Sequence, residues 1–270
     1  MKQTLIAFIA TLLIFVALTM TEQSDIVARS ESVFVLMETA NQAYDEADYA
    51  LASRSYQQLV DQGVVDVALF YNLGNSYYKL GDWGRAIVNY RRALVVAPRD
   101  GDIQTNLALA RAETVDALDQ ESELISIRIA SAGAMWLTFN ETARLALGVW
   151  LVFGVTMFAY SQLTIRRWRE VLQLLLVGLI TLVIGLSGLL VVHYYVQENY
   201  PAAVIVVDEP VDIRSGPGTQ FVTEFTLHSG AEVTWLEQRG PWTRIALPGG
   251  NLQGWLDAND VERVVEFRQE

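Results

Sequence analysis

The chain has 270 residues, a formal net charge of −12 and no cysteine. The missing cysteines exclude disulfides, thiolate metal sites and a cysteine nucleophile. The acidity argues against nucleic acid or an anionic surface as a partner. Hydrophobic residues make up 52 %, which two long apolar runs, rather than an unusual core, account for.

Met1 and Lys2 precede an apolar stretch from Leu5 to Met20. Residues 1–21 thus have the pattern of a signal peptide or an uncleaved signal anchor. Ala17 and Thr19 are the small residues available for cleavage, in a poor site. No cysteine follows, so it is not a lipoprotein signal.

Residues 67–100, VALFYNLGNSYYKLGDWGRAIVNYRRALVVAPRD, read as two helices joined at Gly81 and Asp82. Phe70, Leu73 and Tyr77 recur at steps of three and four and share one helical face. Gly74 and Ala86 are small where antiparallel helices approach. Gly81 suits a left-handed turn, and Pro98 cannot continue the second helix. Counted from Val67, residues Leu73, Gly74, Tyr77, Ala86, Tyr90, Ala93 and Pro98 occupy the signature positions of the tetratricopeptide repeat (TPR) family, which the stretch resembles throughout.

One such unit cannot bury its own apolar face. A degenerate repeat over 33–66 keeps Ala40, Ala52, Tyr56 and Leu59 at equivalent positions, but has Thr39-Ala40 for Leu-Gly and no final proline. A capping helix is expected from about Asp102 to Leu118, with Leu107 and Ala108 on its apolar face and Gln104 and Arg111 on the wet one. The helical region then spans 30–118.

The TPR resemblance implies a non-catalytic module that binds proteins or peptides. It places Phe34, Met37, Asn41 and Tyr44, then Ala68, Tyr71, Asn75 and Tyr78, along the concave groove, with Asn72 beside them. Asn41 and Asn72 match the asparagines of the carboxylate-clamp type. Met37, Asp102 and Asn106 stand where its cations would be, so no carboxylate clamp is expected. The alternative use of Tyr71 and Tyr78 is packing against the chain after Leu118.

Residues 119–142 form a linker. Its segment from Leu124 to Phe139 is apolar but too short to span a bilayer. Met135, Trp136 and Phe139 suit a membrane surface. The runs 143–163 and 171–195 are each long enough to cross as a helix. Thr138 and Glu141 have capping-box spacing just before the first. The connecting loop, 164–170, carries Arg166, Arg167 and Arg169. The positive-inside rule puts that loop in the cytoplasm, and the TPR and carboxy-terminal regions outside. Charge agrees: residues 22–144 carry 18 acidic and 10 basic side chains, and 196–270 carry 12 and 5.

From residue 201 the pattern becomes strand-like. AVIVV, VDIR, EFTLH, EVTWLE, WTRIAL, QGWL and VERVV alternate with turn signals such as Gly216-Pro217-Gly218 and Pro248-Gly249-Gly250. A small, strongly bent β-barrel over 201–266 is expected. VDIRSGPGTQF, with Arg214, Gly216 and Pro217, and QGWLDANDVERV, with Gly254, Trp255 and Leu256, resemble the bacterial SH3-like (SH3b) family. That resemblance implies binding of a cell-wall peptide or a protein. Arg214 and Trp242 either line its ligand groove or are structural, Arg214 bracing a turn and Trp242 filling the core with Trp255.

No catalytic constellation is present. His193 and His228 lie in different regions. RSGPGTQF lacks the Lys-Ser/Thr ending of a phosphate loop. Asp45, Glu46 and Asp48 do not have EF-hand spacing. A non-enzyme without cofactor or metal is expected. The fold class is multidomain: TPR helical hairpins, a two-helix transmembrane hairpin and an all-β SH3-like barrel. This order, with YNLGNSYYKLG and RSGPG, resembles the TPR-and-SH3 membrane proteins of bacterial aerotolerance (Bat, BatE-like) operons. The resemblance implies an inner-membrane scaffold beside MoxR-type ATPases and membrane proteins with von Willebrand factor A domains. The alternative is a cell-envelope sensor relaying the state of the SH3-like ligand across the membrane, for which the short inner loop offers a cytoplasmic partner little.

Overall fold

The computed structural model describes residues 30–116, 137–199, 201–250 and 252–265. The expected signal or anchor, linker residues 119–136 with Met135 and Trp136, and Leu118 lie outside the described residues. The chain divides into two compact units, 1–81 and 82–270.

In the first unit, helix α1 covers residues 30–45, α2 Tyr49–Asp61 and α3 Val67–Leu80. Asp48 caps α2 by accepting the Leu51 amide, and Asp66 caps α3 by accepting that of Leu69. Helix α3 ends at Gly81 in the left-handed region, φ 80°, as its place in the repeat anticipates. The core joins Ala40 and Ala43 of α1, Ala52, Tyr56 and Leu59 of α2, and Leu69 and Leu73 of α3. Small residues on α1 and α2 let these helices approach closely. The Tyr56 hydroxyl, inside this core, donates to Asn41 Oδ1 at 2.6 Å.

The second unit opens with α4 (Trp83–Val96) and α5 (Gly101–Ala112), packed together. Asp82 and Asp100 cap them. The expected run of α5 to Leu118 is not seen. The helix stops at Ala112, and Asp116 instead accepts the His228 amide at 2.6 Å. Next comes a helical hairpin, α6 (Phe139–Gln162) and α7 (Arg166–Asn199). The capping box of Thr138 and Glu141 is formed. Arg166, Arg167 and Arg169 occupy the first turn of α7, so the connection is shorter than 164–170. Both helices are long and apolar enough to cross a membrane, and almost none of α6's apolar length and none of α7's is buried.

The remainder is one antiparallel sheet. Its strands are β1 (Ala202–Ile205), β2 (Val211–Arg214), β3 (Thr223–Leu227), β4 (Glu232–Arg239), β5 (Trp242–Ala246), β6 (Gln253–Asp257) and β7 (Val261–Arg263). They coincide with the seven apolar segments of the sequence. The order is β3-β2-β6-β5-β4-β1-β7. The sheet is open: its hydrogen-bond ladder ends at β3 and β7 and closes no barrel. Strand β7 has only three residues and pairs with β1. The carbonyls of Arg263 and Val264 are met by Arg92 of α4. Ile205, Ile213, Trp235, Ile245 and Leu256 centre the core of the sheet.

Candidate partner-binding site

The eight expected groove residues all lie on α1 and α3 of the first unit. Phe34 is 69 % exposed and Ala68 is exposed; the other six are half-buried. Met37 and Tyr44 pack against the core. The Tyr44 ring meets Tyr49 edge-on, with centroids 5.3 Å apart. Burial pushes the Tyr44 hydroxyl up, and Tyr49, Tyr71 and Asp45 add to this. The contact of the Tyr44 and Tyr49 rings joins α1 to α2.

The asparagines divide. Asn41 gives its carbonyl to Tyr56, and the Asn72 side chain also bonds the Tyr56 hydroxyl. Burial pushes that hydroxyl up to about 12 despite the Asn72 bond. The two residues that match the clamp asparagines thus brace the protein's own tyrosine. Their spacing alone could not reveal this, because Tyr56 approaches from α2.

On the sheet, the pairings Arg214↔Trp255 and Arg244↔Trp255 put those three residues on one face. Trp242, two residues before Arg244, shares it. Arg214 donates to the carbonyls of Thr219 and Phe221 at 3.1 and 3.3 Å and pairs with Asp212. It braces the turn. Trp242 is half-buried, whereas Trp255 is buried beneath Arg239. The buried tryptophan of the opposite face is Trp235, with Arg263 at 4.0 Å from its ring centroid. Glu237, bonded to Arg239 and Arg244, completes the polar part of the face. The Arg239 hydrogen bond holds its carboxyl below the ordinary range; some burial opposes this, and Arg244 reinforces it.

A third set of residues was not anticipated. It joins α4 and α5 to the sheet. Arg92 is nearly buried, and Nε and Nη2 donate to the carbonyls of Val264 and Arg263 at 3.0 and 2.9 Å. Nη1 pairs with Glu262 at 2.8 Å. Glu232 accepts a two-pronged contact from Arg111 and pairs with Arg91. Burial pushes the Glu232 carboxyl up, but the Arg91 charge and the Arg111 bond outweigh it and hold it low. Asp116 accepts from both the main chain and the ring of His228, depending on the ring tautomer. A Cβ on Gly84 would press on the Ile205 carbonyl oxygen at 2.5 Å. The available signal was the composition of α4. Ala86, Ile87, Val88, Tyr90 and Ala93 are all buried, too many for a single apolar stripe.

Residues 67–100 match the family model described as Tetratricopeptide repeat. No curated protein matches the chain. A TPR repeat is therefore present at 67–100, and such repeats are typically non-catalytic modules for protein–protein interaction.

Proposed function

We propose that this chain is a membrane-anchored, non-enzymatic scaffold. A protein or peptide partner is held on the aromatic α1–α3 surface. A cell-wall peptide or second protein is held on the Arg214–Trp242 face of an SH3-like module. The observation that carries the reading is the tetratricopeptide repeat at 67–100. The bare apolar surfaces of α6 and α7 support the membrane part, since exposed patches of that size need lipid or protein cover. The bonds between α4–α5 and the sheet support the topology. Two crossings return the chain to its starting side, and residues 82–116 and 201–265 must share a side to make those bonds. The arginines at the start of α7 favour the cytoplasm for the hairpin tip and the outside for both binding regions. The Bat-like order of segments points to partners of the MoxR-type ATPase and von Willebrand factor A kinds.

The test uses the full chain in lipid nanodiscs, because a segment ending near residue 140 would remove the sheet that α4 and α5 pack on. Tyr71→Ala with Asn75→Ala should abolish capture of candidate partners by the wild-type protein, while Trp242→Ala preserves it. Capture unchanged by the double substitution would sink the groove. A reporter fused after Arg169 should read cytoplasm and one after Glu270 the outside.

A further inference from the structure

We infer that the carboxy-terminal end of α4, Val95 and Val96 with the turn to Arg99, rests in the headgroup layer of the bilayer, so that the lipid surface is itself a partner of this region. The inference rests on the membrane reading of α6 and α7. Two separate contacts carry it, one at each end of the hairpin.

At the entry, Arg99 Nη2 pairs with Glu141 Oε1. Glu141 lies in the first turn of α6, directly after the Thr138 cap. Phe139, 44 % exposed, starts the apolar surface of that helix. Glu141 thus stands where water gives way to hydrocarbon, and Arg99 is held at the same level. At the exit, α7 ends at Asn199 and β1 begins at Ala202. The Val264 amide donates to the Ala202 carbonyl at 2.9 Å, and the Val264 carbonyl accepts from Arg92 Nε at 3.0 Å. Arg92, one turn before Val96, is therefore beside the chain as it leaves the hairpin.

Val95 and Val96 lie between these two anchors. They are 53 % and 42 % exposed, at the end of a helix whose other valine, Val88, is fully buried. The opposite end of the body is well defined. Gly84 lies against Ile205 and Val206. Helix α5 runs 12 residues away from Arg99, about 18 Å at the α-helical rise. It leads to Thr114 beside Gly230 and to Asp116 on His228. Val115, 72 % exposed, marks this far end. Apolar side chains held at a bilayer surface lose their water by entering the headgroup and acyl boundary, typically to a depth of about 5–10 Å. This contact is apolar and tethered, so the acidity of the chain does not oppose it on a zwitterionic membrane.

The absence of cysteine makes the test direct. Full-length Val96→Cys, Val115→Cys and Val155→Cys each accept one bimane label, and all three positions are exposed. The labelled proteins are placed in phosphatidylcholine nanodiscs containing a lipid with its nitroxide either near the headgroup or near the chain end. The label at 155, within α6, should be quenched by the deep nitroxide. The label at 96 should be quenched by the shallow one about twofold more than the label at 115. Equal quenching at 96 and 115, with 155 still quenched, overturns the inference and leaves the membrane reading standing. No quenching at 155 overturns both. A label at 96 shielded from nitroxide lipid and from a water-soluble quencher alike would mean that protein covers the valines, and the inference fails.

Discussion

The tetratricopeptide repeat at 67–100 joins α3 to α4, yet the three helices before Gly81 and the two after Asp82 are held by different interactions. In α1–α3 the interior is alanine, leucine and one tyrosine, whose hydroxyl is met by asparagine side chains. In α4–α5 the seam with the sheet is ionic, built on Arg92, Arg111, Glu232 and Glu262. A TPR motif specifies the shape of a helix pair; it leaves open what the outer face of that pair meets. In α4–α5 that face is given to the chain's own sheet.

The comparison can be broken at several points. The largest effect is expected for Arg92→Ala, which leaves Glu262 and two carbonyls without their partner; losing one member of a buried pair costs about 3–5 kcal/mol. Tryptophan fluorescence reads this cleanly during denaturation, because residues 1–82 contain no tryptophan. Equal stability of wild type and variant would remove the ionic seam from the account.

Acid should reproduce part of that loss. The folded Glu232 carboxyl is held low, so its contribution is fully present above the unfolded value. It disappears as pH falls below the ordinary 4.5 and through the folded value. Glu232→Gln should flatten this slope in the fluorescence midpoint; an unchanged slope would assign the acid sensitivity elsewhere.

Gly84→Ala tests the close approach of α4 to β1. Crowding the Ile205 carbonyl is expected to cost about 1–3 kcal/mol. Gly101→Ala, with open space at its Cβ position, should be neutral or slightly stabilising through helix propensity. If the two behave alike, α4 does not lie this close to the sheet. The smallest effect belongs to the first unit. Tyr56→Phe removes the bond to Asn41 at about 0.5–1.5 kcal/mol, read by hydrogen exchange over residues 30–80. Unaltered protection there would show that the asparagines are not bracing Tyr56.

Much of the fold was legible. Val67 to Pro98 announced a helix pair because the signature residues mark close approaches and a turn within a single local unit. All seven strands were visible because alternation and turn residues act over a few positions. The capping box at Thr138 and Glu141 was readable for the same reason. Less of the candidate site could be read. Asn41 and Asn72 looked alike as ligand donors until Tyr56 reached them from another helix, and Arg214 was left between a ligand role and a turn-bracing role until its carbonyl partners were known.

The sequence by itself determined the local elements, the apolar hairpin and the repeat, since helix periodicity, strand alternation and runs of bilayer length are properties of neighbouring residues. Only the tertiary structure decided that the sheet stays open, that Arg92 meets the end of β7, and that Glu232 gathers Arg91 and Arg111. Those contacts join residues up to 172 positions apart. No local pattern encodes which distant carbonyl a buried guanidinium will find, because that depends on the geometry of chain segments packed from either side of the hairpin.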